Sequence, residues 1–226
     1  VLADADAVAR CAAARVAEEA RAAVAQRGRF AFAVSGGSTP WRMLRRLAEE
    51  DVPWPRVELF QVDERVAPDG DADRNWTHVR ESLLERAPLP EAGAHAMPVG
   101  AADLEQAARD YAALLARIAG APPILDLVHL GLGPDGHTAS LVPDDAVLGI
   151  RDSDVALTAR LYQGRRRMTL TYPALDRARR LLWLVTGGSK REVLARLRRG
   201  DPTIPAGRVR SERALLLADR EALGEA

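Results

Sequence analysis

One cysteine and one lysine stand in this 226-residue sequence, Cys11 and Lys190. A single cysteine excludes an intramolecular disulfide, and Cys11 reads as a small buried apolar residue rather than a nucleophile. No apolar run reaches the ~18 residues of a membrane-spanning helix, so no membrane association is expected. The alanine-rich start is interrupted by Asp4, Asp6, Arg10, Arg15, Glu18 and Glu19, which argues against a signal peptide. A cytoplasmic location is the expectation. A surplus charge of either sign is also missing, because 32 Lys+Arg balance 32 Asp+Glu. General nucleic-acid binders are usually basic, so no nucleic-acid partner is expected. The four histidines show no metal-ligand spacing, and no metal is expected.

The scarcity of lysine is informative in its own right. Wherever a generic surface cation suffices, this chain uses arginine. The one lysine is either chance or the mark of a place that suits a compact ammonium and not a wide planar guanidinium, and its position favours the second reading. Hydrophobic residues make up 47% of the chain and charged residues 28%, the balance of an ordinary globular protein. The length is enough to bury a real core.

Val8, Ala12, Val16, Ala20 and Val24 recur every four residues, which predicts a helix over 4–26 that Gly28 ends. Further helices are predicted at 40–50, 75–86, 104–118 and 189–199, with Pro122-Pro123 closing off the one at 104–118. Apolar runs predict strands at 30–34, 57–62, 124–130, 155–159, 168–171, 181–186 and 214–217. Strands and helices alternate, which predicts an α/β fold with a largely parallel sheet in a single domain over 1–226.

Four constellations follow predicted strands. The segment 131–140, GLGPDGHTAS, bends on three glycines and carries Asp135 and His137. A helix is expected to begin near Thr138. A histidine at the carboxyl end of a sheet strand sits where such folds bind ligands, and it exchanges protons near neutral pH. Gly131, Gly133 and Gly136 also satisfy G-x-G-x-x-G, and Asp152 lies near the distance expected of a ribose-binding acid. Pro143 leaves little room for a crossover helix, however, and Asp135 would face a pyrophosphate, so the dinucleotide reading is rejected.

The segment 35–40, SGGSTP, precedes a helix. Its Gly36, Gly37, Ser38 and Thr39 suit an anion at a helix N-terminus, or equally a plain Ser/Thr cap. No Gly-Lys-Ser/Thr follows, which excludes a P-loop. Asp63-Glu64-Arg65 ends a strand. Arg65 suits an oxyanion, Glu64 reads as a surface ion-pair partner, and Asn75 as the cap of its helix. Gly187-Gly188-Ser189-Lys190 places the lone lysine in the first turn of a helix, where a bound anion would offset the unfavourable dipole. Of Arg165-Arg166-Arg167, the first two read as a solvated run and Arg167 as facing the pocket. His129 reads as packed within its strand, and His78 and His95 as helix-face and loop residues. Together the four loops predict a site for a phosphorylated small molecule undergoing proton transfer.

SGGSTP, VDERV at 62–66, GLGPDGHTASLVP, RMTLTYPAL, GGSK and IPAGRV resemble, in order and spacing, the 6-phosphogluconolactonases. GPDGHTAS is the most specific of these. The resemblance implies a three-layer α/β/α, modified Rossmann-like fold. It implies hydrolysis of 6-phosphogluconolactone to 6-phosphogluconate in the oxidative pentose phosphate pathway, without metal or organic cofactor. His137 is then expected as general base and Asp135 as its orienting partner. Ser38, Thr39, Arg65 and Lys190 are expected to hold substrate, chiefly its phosphate, with Gly36, Gly37, Asp63 and Arg167 completing the site. A phosphosugar lactone is the expected partner of a monomer or weak homodimer.

The related glucosamine-6-phosphate deaminases carry a glutamate five residues after the histidine, where this chain has Val142, and a tyrosine where it has Arg65. A non-catalytic sugar-phosphate binder is a further alternative, which the His137–Asp135 pair argues against. Two features depart from the lactonase pattern. Arg74-Asn75 stands where Ser-Asn is usual, and a leading strand before the first helix is expected to be missing.

Overall fold

The computed structural model describes residues 1–210 and 212–225. The chain forms α1 (Ala5–Arg27), β1 (Phe30–Val34), α2 (Ser38–Leu47), β2 (Val57–Gln61) and β3 (Asp63–Arg65). Next come α3 (Asn75–Val79), which runs on as a π turn to Leu84, then β4 (Ala94–His95), α4 (Leu104–Ala119) and β5 (Leu127–Leu130). The remainder is β6 (Val155–Leu157), β7 (Arg167–Leu170), α5 (Tyr172–Asp176), β8 (Leu181–Val185), α6 (Arg191–Arg198), β9 (Ala214–Ala218) and α7 (Arg220–Leu223). Leu2 adds one bridging pair to Asp219 ahead of α1.

Helix α1 starts where Asp4 accepts the N–H of Ala7 at 2.8 Å, and it ends at Gly28 with φ 76°, a left-handed conformation that glycine adopts without the Cβ penalty. Its buried face is largely alanine, which lets it lie close against α2 and β1.

Six strands make one sheet in the order β4-β2-β1-β5-β8-β9, with every neighbouring pair parallel. Phe32 of β1 aligns with Leu59 of β2 on one side and Leu127 of β5 on the other. Alternate residues of each strand feed different cores, as the two-residue period of a strand requires. Phe30, Phe32 and Val34 pack with α1 and α2, whereas Ala31 and Ala33 belong to the core shared with α4 and α6. In β8, Leu182 and Leu184 face the first core and Leu181, Trp183 and Val185 the second. The result is helix, sheet, helix in three layers.

From β1 the chain proceeds outward to β2 and β4, and from β5 it proceeds the other way to β8 and β9. The order therefore reverses between β1 and β5. Loops leaving their carboxyl ends diverge there and open a crevice, the place where open α/β sheets bind ligands.

Three expectations need correction. The predicted strand at 57–62 divides: Val62 donates to Val34 O at 3.0 Å and accepts from Leu170 N at 2.8 Å, so it pivots the chain out of the main sheet. The strands predicted at 155–159 and 168–171 join β3 in a separate antiparallel sheet, order β3-β7-β6. Apolar periodicity reports a strand but not its partner, which is why the second sheet was not foreseen. No helix begins at Thr138. Residues Thr138 and Leu141 instead bridge a tight turn, with Ala139 at φ 52°.

Candidate active site

The crevice holds a cavity of about 320 Å³, into which the loops after β1, β2, β5 and β8 all project, together with β7 and the chain before it. Every predicted site residue lines it except Asp135: Gly36, Gly37, Ser38, Thr39, Asp63, Arg65, His137, Arg167 and Lys190. Ser38 is exposed and Asp63 and Arg167 are buried, so the cavity runs from open solvent to a charged floor.

In the loop after β1, α2 begins at Ser38 behind Gly37, whose φ is 129° and which offers no side-chain cap. Neither Ser38 nor Thr39 caps the helix, so the plain-cap alternative falls. The helix start keeps uncapped N–H groups and the positive end of its dipole beside the cavity, a ready anion seat. Thr39 Oγ1 lies 2.7 Å from Thr186 Oγ1, which ties this loop to the one after β8. Gly36 is required by crowding, because a Cβ there would stand 1.8 Å from Asn75 Oδ1.

The loop after β5 folds back on itself. Gly133 N donates to His137 O at 2.8 Å, and Gly136 N to Gly133 O at 3.0 Å. His137 Nδ1 lies 2.5 Å from Asp135 Oδ1, and the same oxygen accepts the His137 backbone N–H at 3.2 Å. Tyr162 donates its hydroxyl to Asp135 Oδ2 at 2.9 Å. Partial burial pushes the Asp135 carboxyl up, but the imidazole, the phenol and the backbone N–H together hold it below its ordinary range. An ionised Asp135 places the ring proton on Nδ1, which leaves Nε2 as the basic nitrogen. Asp135 stands behind the imidazole rather than on the cavity wall.

At the end of β2 the structure reassigns Glu64. The carboxylate is fully buried, not on the surface. It accepts the N–H groups of Asn75 at 2.7 Å and Trp76 at 2.8 Å and pairs with Arg74 Nε at 3.3 Å. Glu64 therefore supplies from a distance the cap expected of Asn75. Arg74 occupies the N-cap position, and Asn75 Nδ2 donates to Asp63 O at 2.9 Å. Asp63 in turn accepts from Ser140 Oγ at 2.6 Å.

Arg65 and Arg167 face each other across β3 and β7 as register partners. Burial lowers the Arg167 guanidinium from its ordinary value, with Asp63 acting against that. Arg165 and Arg166 are not a free solvated run, since they pair with Asp71 and Asp73 and with Glu105. Lys190 caps α6 from a short 3₁₀ turn, and its Nζ donates to Leu132 O at 2.7 Å. Burial lowers its ammonium too, against the pull of Asp135. Three cations and one carboxylate thus flank one histidine, which suits an anionic substrate.

Several lining residues escaped sequence reasoning: Ser35, Asn75 as a wall, Gln163 and Thr186, with Tyr162 behind them. Tyr162 reaches the site across 25 residues of chain, from a hairpin that carries no motif, so only proximity reveals it. His95 lies in β4 rather than a loop, bonded to Glu58 at 2.6 Å. His129 is fully buried, with Nδ1 accepting Ser35 N at 3.2 Å, as its strand position implied.

Fold and crevice define an α/β protein of the Rossmann-like class with a cation-lined cleft at the carboxyl ends of its strands. A profile described as "Glucosamine-6-phosphate isomerases/6-phosphogluconolactonase" matches residues 3–217. The chain belongs to this family. It is 40% identical over 179 residues to a 6-phosphogluconolactonase of Synechocystis sp., covering 77% of this chain and 74% of that protein. The 6-phosphogluconolactonase of Mycobacterium leprae is 37% identical over 228 residues, covering 92% and 90%. The crystal structure of 6-phosphogluconolactonase from Thermotoga maritima superposes with a TM-score of 0.85 at 28% identity, covering 97% of each chain. Among the described residues no helix is long and apolar enough to cross a membrane.

Proposed function

We propose that this protein is a 6-phosphogluconolactonase in which His137 acts as general base. The observation that carries the reading is the imidazole on the cavity wall with Nδ1 held by Asp135 at 2.5 Å. Nε2 takes a proton from water as the water oxygen attacks the lactone carbonyl carbon. The carbonyl becomes a tetrahedral oxyanion, stabilised by fixed donors and cations already in place. When it collapses, the ring C–O bond breaks, and the imidazolium returns its proton to the departing oxygen. The base is regenerated and 6-phosphogluconate leaves.

Ser38, Thr39 and the start of α2, with Lys190, Arg65 and Arg167, hold the substrate, chiefly its phosphate. Asp63, braced by Ser140, sets the charge balance of the two arginines. The deaminase reading lacks its carboxylate, because Val142 is apolar and buried. A cytoplasmic monomer or weak homodimer completes the proposal, and light scattering checks its mass.

The test is a coupled assay on freshly made 6-phosphogluconolactone, with the spontaneous opening subtracted. His137→Ala should lose ~10²–10⁴ of turnover while keeping the thermal midpoint of the parent. Near-full activity in that variant refutes the assignment, and ammonia release from glucosamine 6-phosphate would establish the rival.

A further inference from the structure

The hairpin between β6 and β7 carries no motif, yet it reaches the centre of the site. Its turn is made by Gln163 at φ 53° and Gly164 at φ 78°, two consecutive left-handed residues as a tight hairpin demands. Apolar packing does not hold it there, for Leu161 is 70% exposed. Polar contacts do. Asp145 accepts the N–H groups of Ala159 and Arg160 at 3.0 and 2.9 Å at the hairpin's root. Arg165 pairs with Asp71 and Asp73, and Arg167 donates to Gln163 Oε1 at 2.9 Å. These contacts leave Tyr162 fixed against two site residues. Its ring stands edge-on to His137 at 5.2 Å, and the Arg167 guanidinium lies over the ring, 4.9 Å from its centroid.

The hydroxyl has a definite task. Asp135 Oδ1 serves both the backbone N–H and the ring of His137, so the rotation of the carboxylate is set by whatever binds Oδ2. Tyr162 is that partner, at 2.9 Å, with its oxygen also 3.2 Å from His137 Nδ1. Without it, water would bind Oδ2 with no fixed direction.

We infer that Tyr162 is a positioning residue, which locks the Asp135 carboxylate in line with His137 Nδ1 and keeps Arg167 at a set distance from the imidazole. The inference rests on the proposed role of His137. Burial, and then the bond to Asp135, push the phenol up to about 12, so the hydroxyl stays protonated and donates throughout the working range.

Tyr162→Phe removes the hydroxyl and keeps the ring. Its kcat for lactone hydrolysis should fall about tenfold, the scale of one lost hydrogen bond to a charged group, with KM within about twofold of the parent. Because Tyr162 acts through Asp135, the double variant Tyr162→Phe/Asp135→Asn should be no slower than Asp135→Asn alone. An unchanged kcat, a loss confined to KM, or additive losses would each overturn the inference. A second arm needs no substrate. The ¹⁵N spectrum of the His137 ring should show the Nδ1-protonated tautomer in the parent and a mixture in Tyr162→Phe. An unchanged tautomer also overturns the inference. If the parent fails to hydrolyse the lactone, the functional reading falls, and the ring spectrum alone decides the role of Tyr162.

Discussion

A methyl group on Gly133 would stand 2.0 Å from His137 Nδ1. This glycine is therefore needed less for backbone freedom than for the space the imidazole occupies. Gly133→Ala should displace the ring from Asp135 and cut kcat by at least tenfold, since small misplacements of catalytic groups are costly. Circular dichroism should remain that of the parent, and full activity would show that the ring has another seat. Lys190 makes a different kind of contribution. Its ammonium reaches the cavity as a point charge anchored on Leu132 O, so Lys190→Ala should raise KM more than it lowers kcat. The reverse split would move Lys190 into the proton-transfer chemistry. His137, Lys190 and the SGGSTP loop were legible in the sequence because each stands beside glycines at a strand end, and that context has few structural uses, whereas Arg65 was read from its place at a strand end alone. Tyr162 and Gln163 were not legible. Gly164 marks only a turn beside them, and their importance is a matter of distance.

At the scale of elements, Glu64 shows how a side chain can organise a helix it does not belong to. It accepts the first N–H groups of α3 and neutralises the buried Arg74. Glu64→Gln should lower unfolding free energy by about 3 kcal/mol, because breaking a buried pair leaves an uncompensated charge. Urea titration measures this, and a shift below about 1 kcal/mol would mean that water replaces the carboxylate. Local pattern sufficed for α1, α2, α3, α4 and α6 and for five of the six main-sheet strands, whereas β4, α5 and α7 are too short to show a period and were not predicted. The ends of α1 were readable because Gly28 is a backbone stop signal. The pivot at Val62 was not, since Val62 looks like any other strand residue. The tight turn at Thr138–Leu141 was misread as a helix start because hydroxyl residues after a glycine serve both purposes.

At the scale of the whole molecule, burial sets a pH limit on stability. Desolvation pushes the His129 imidazole down from 6.5 to about 3. Below pH 6.5 the unfolded chain takes up a proton that the folded chain refuses. The contribution of His129 is therefore whole above that value and is lost progressively as pH falls toward 3, by about 1.4 kcal/mol per pH unit. His129→Gln should flatten this part of the profile in urea titrations between pH 7 and 4. An equal slope in both proteins would show that other groups cause it. The sequence by itself determined the α/β alternation, the helix stops and the four strand-end loops, because periodicity and glycine act over a few neighbouring residues. Which strands pair, that β3 joins β6 and β7, and that Tyr162, Asp135 and His137 meet in one crevice were decided only by the tertiary structure. Those choices depend on burial and hydrogen bonding between residues distant in the chain, and no local pattern records them.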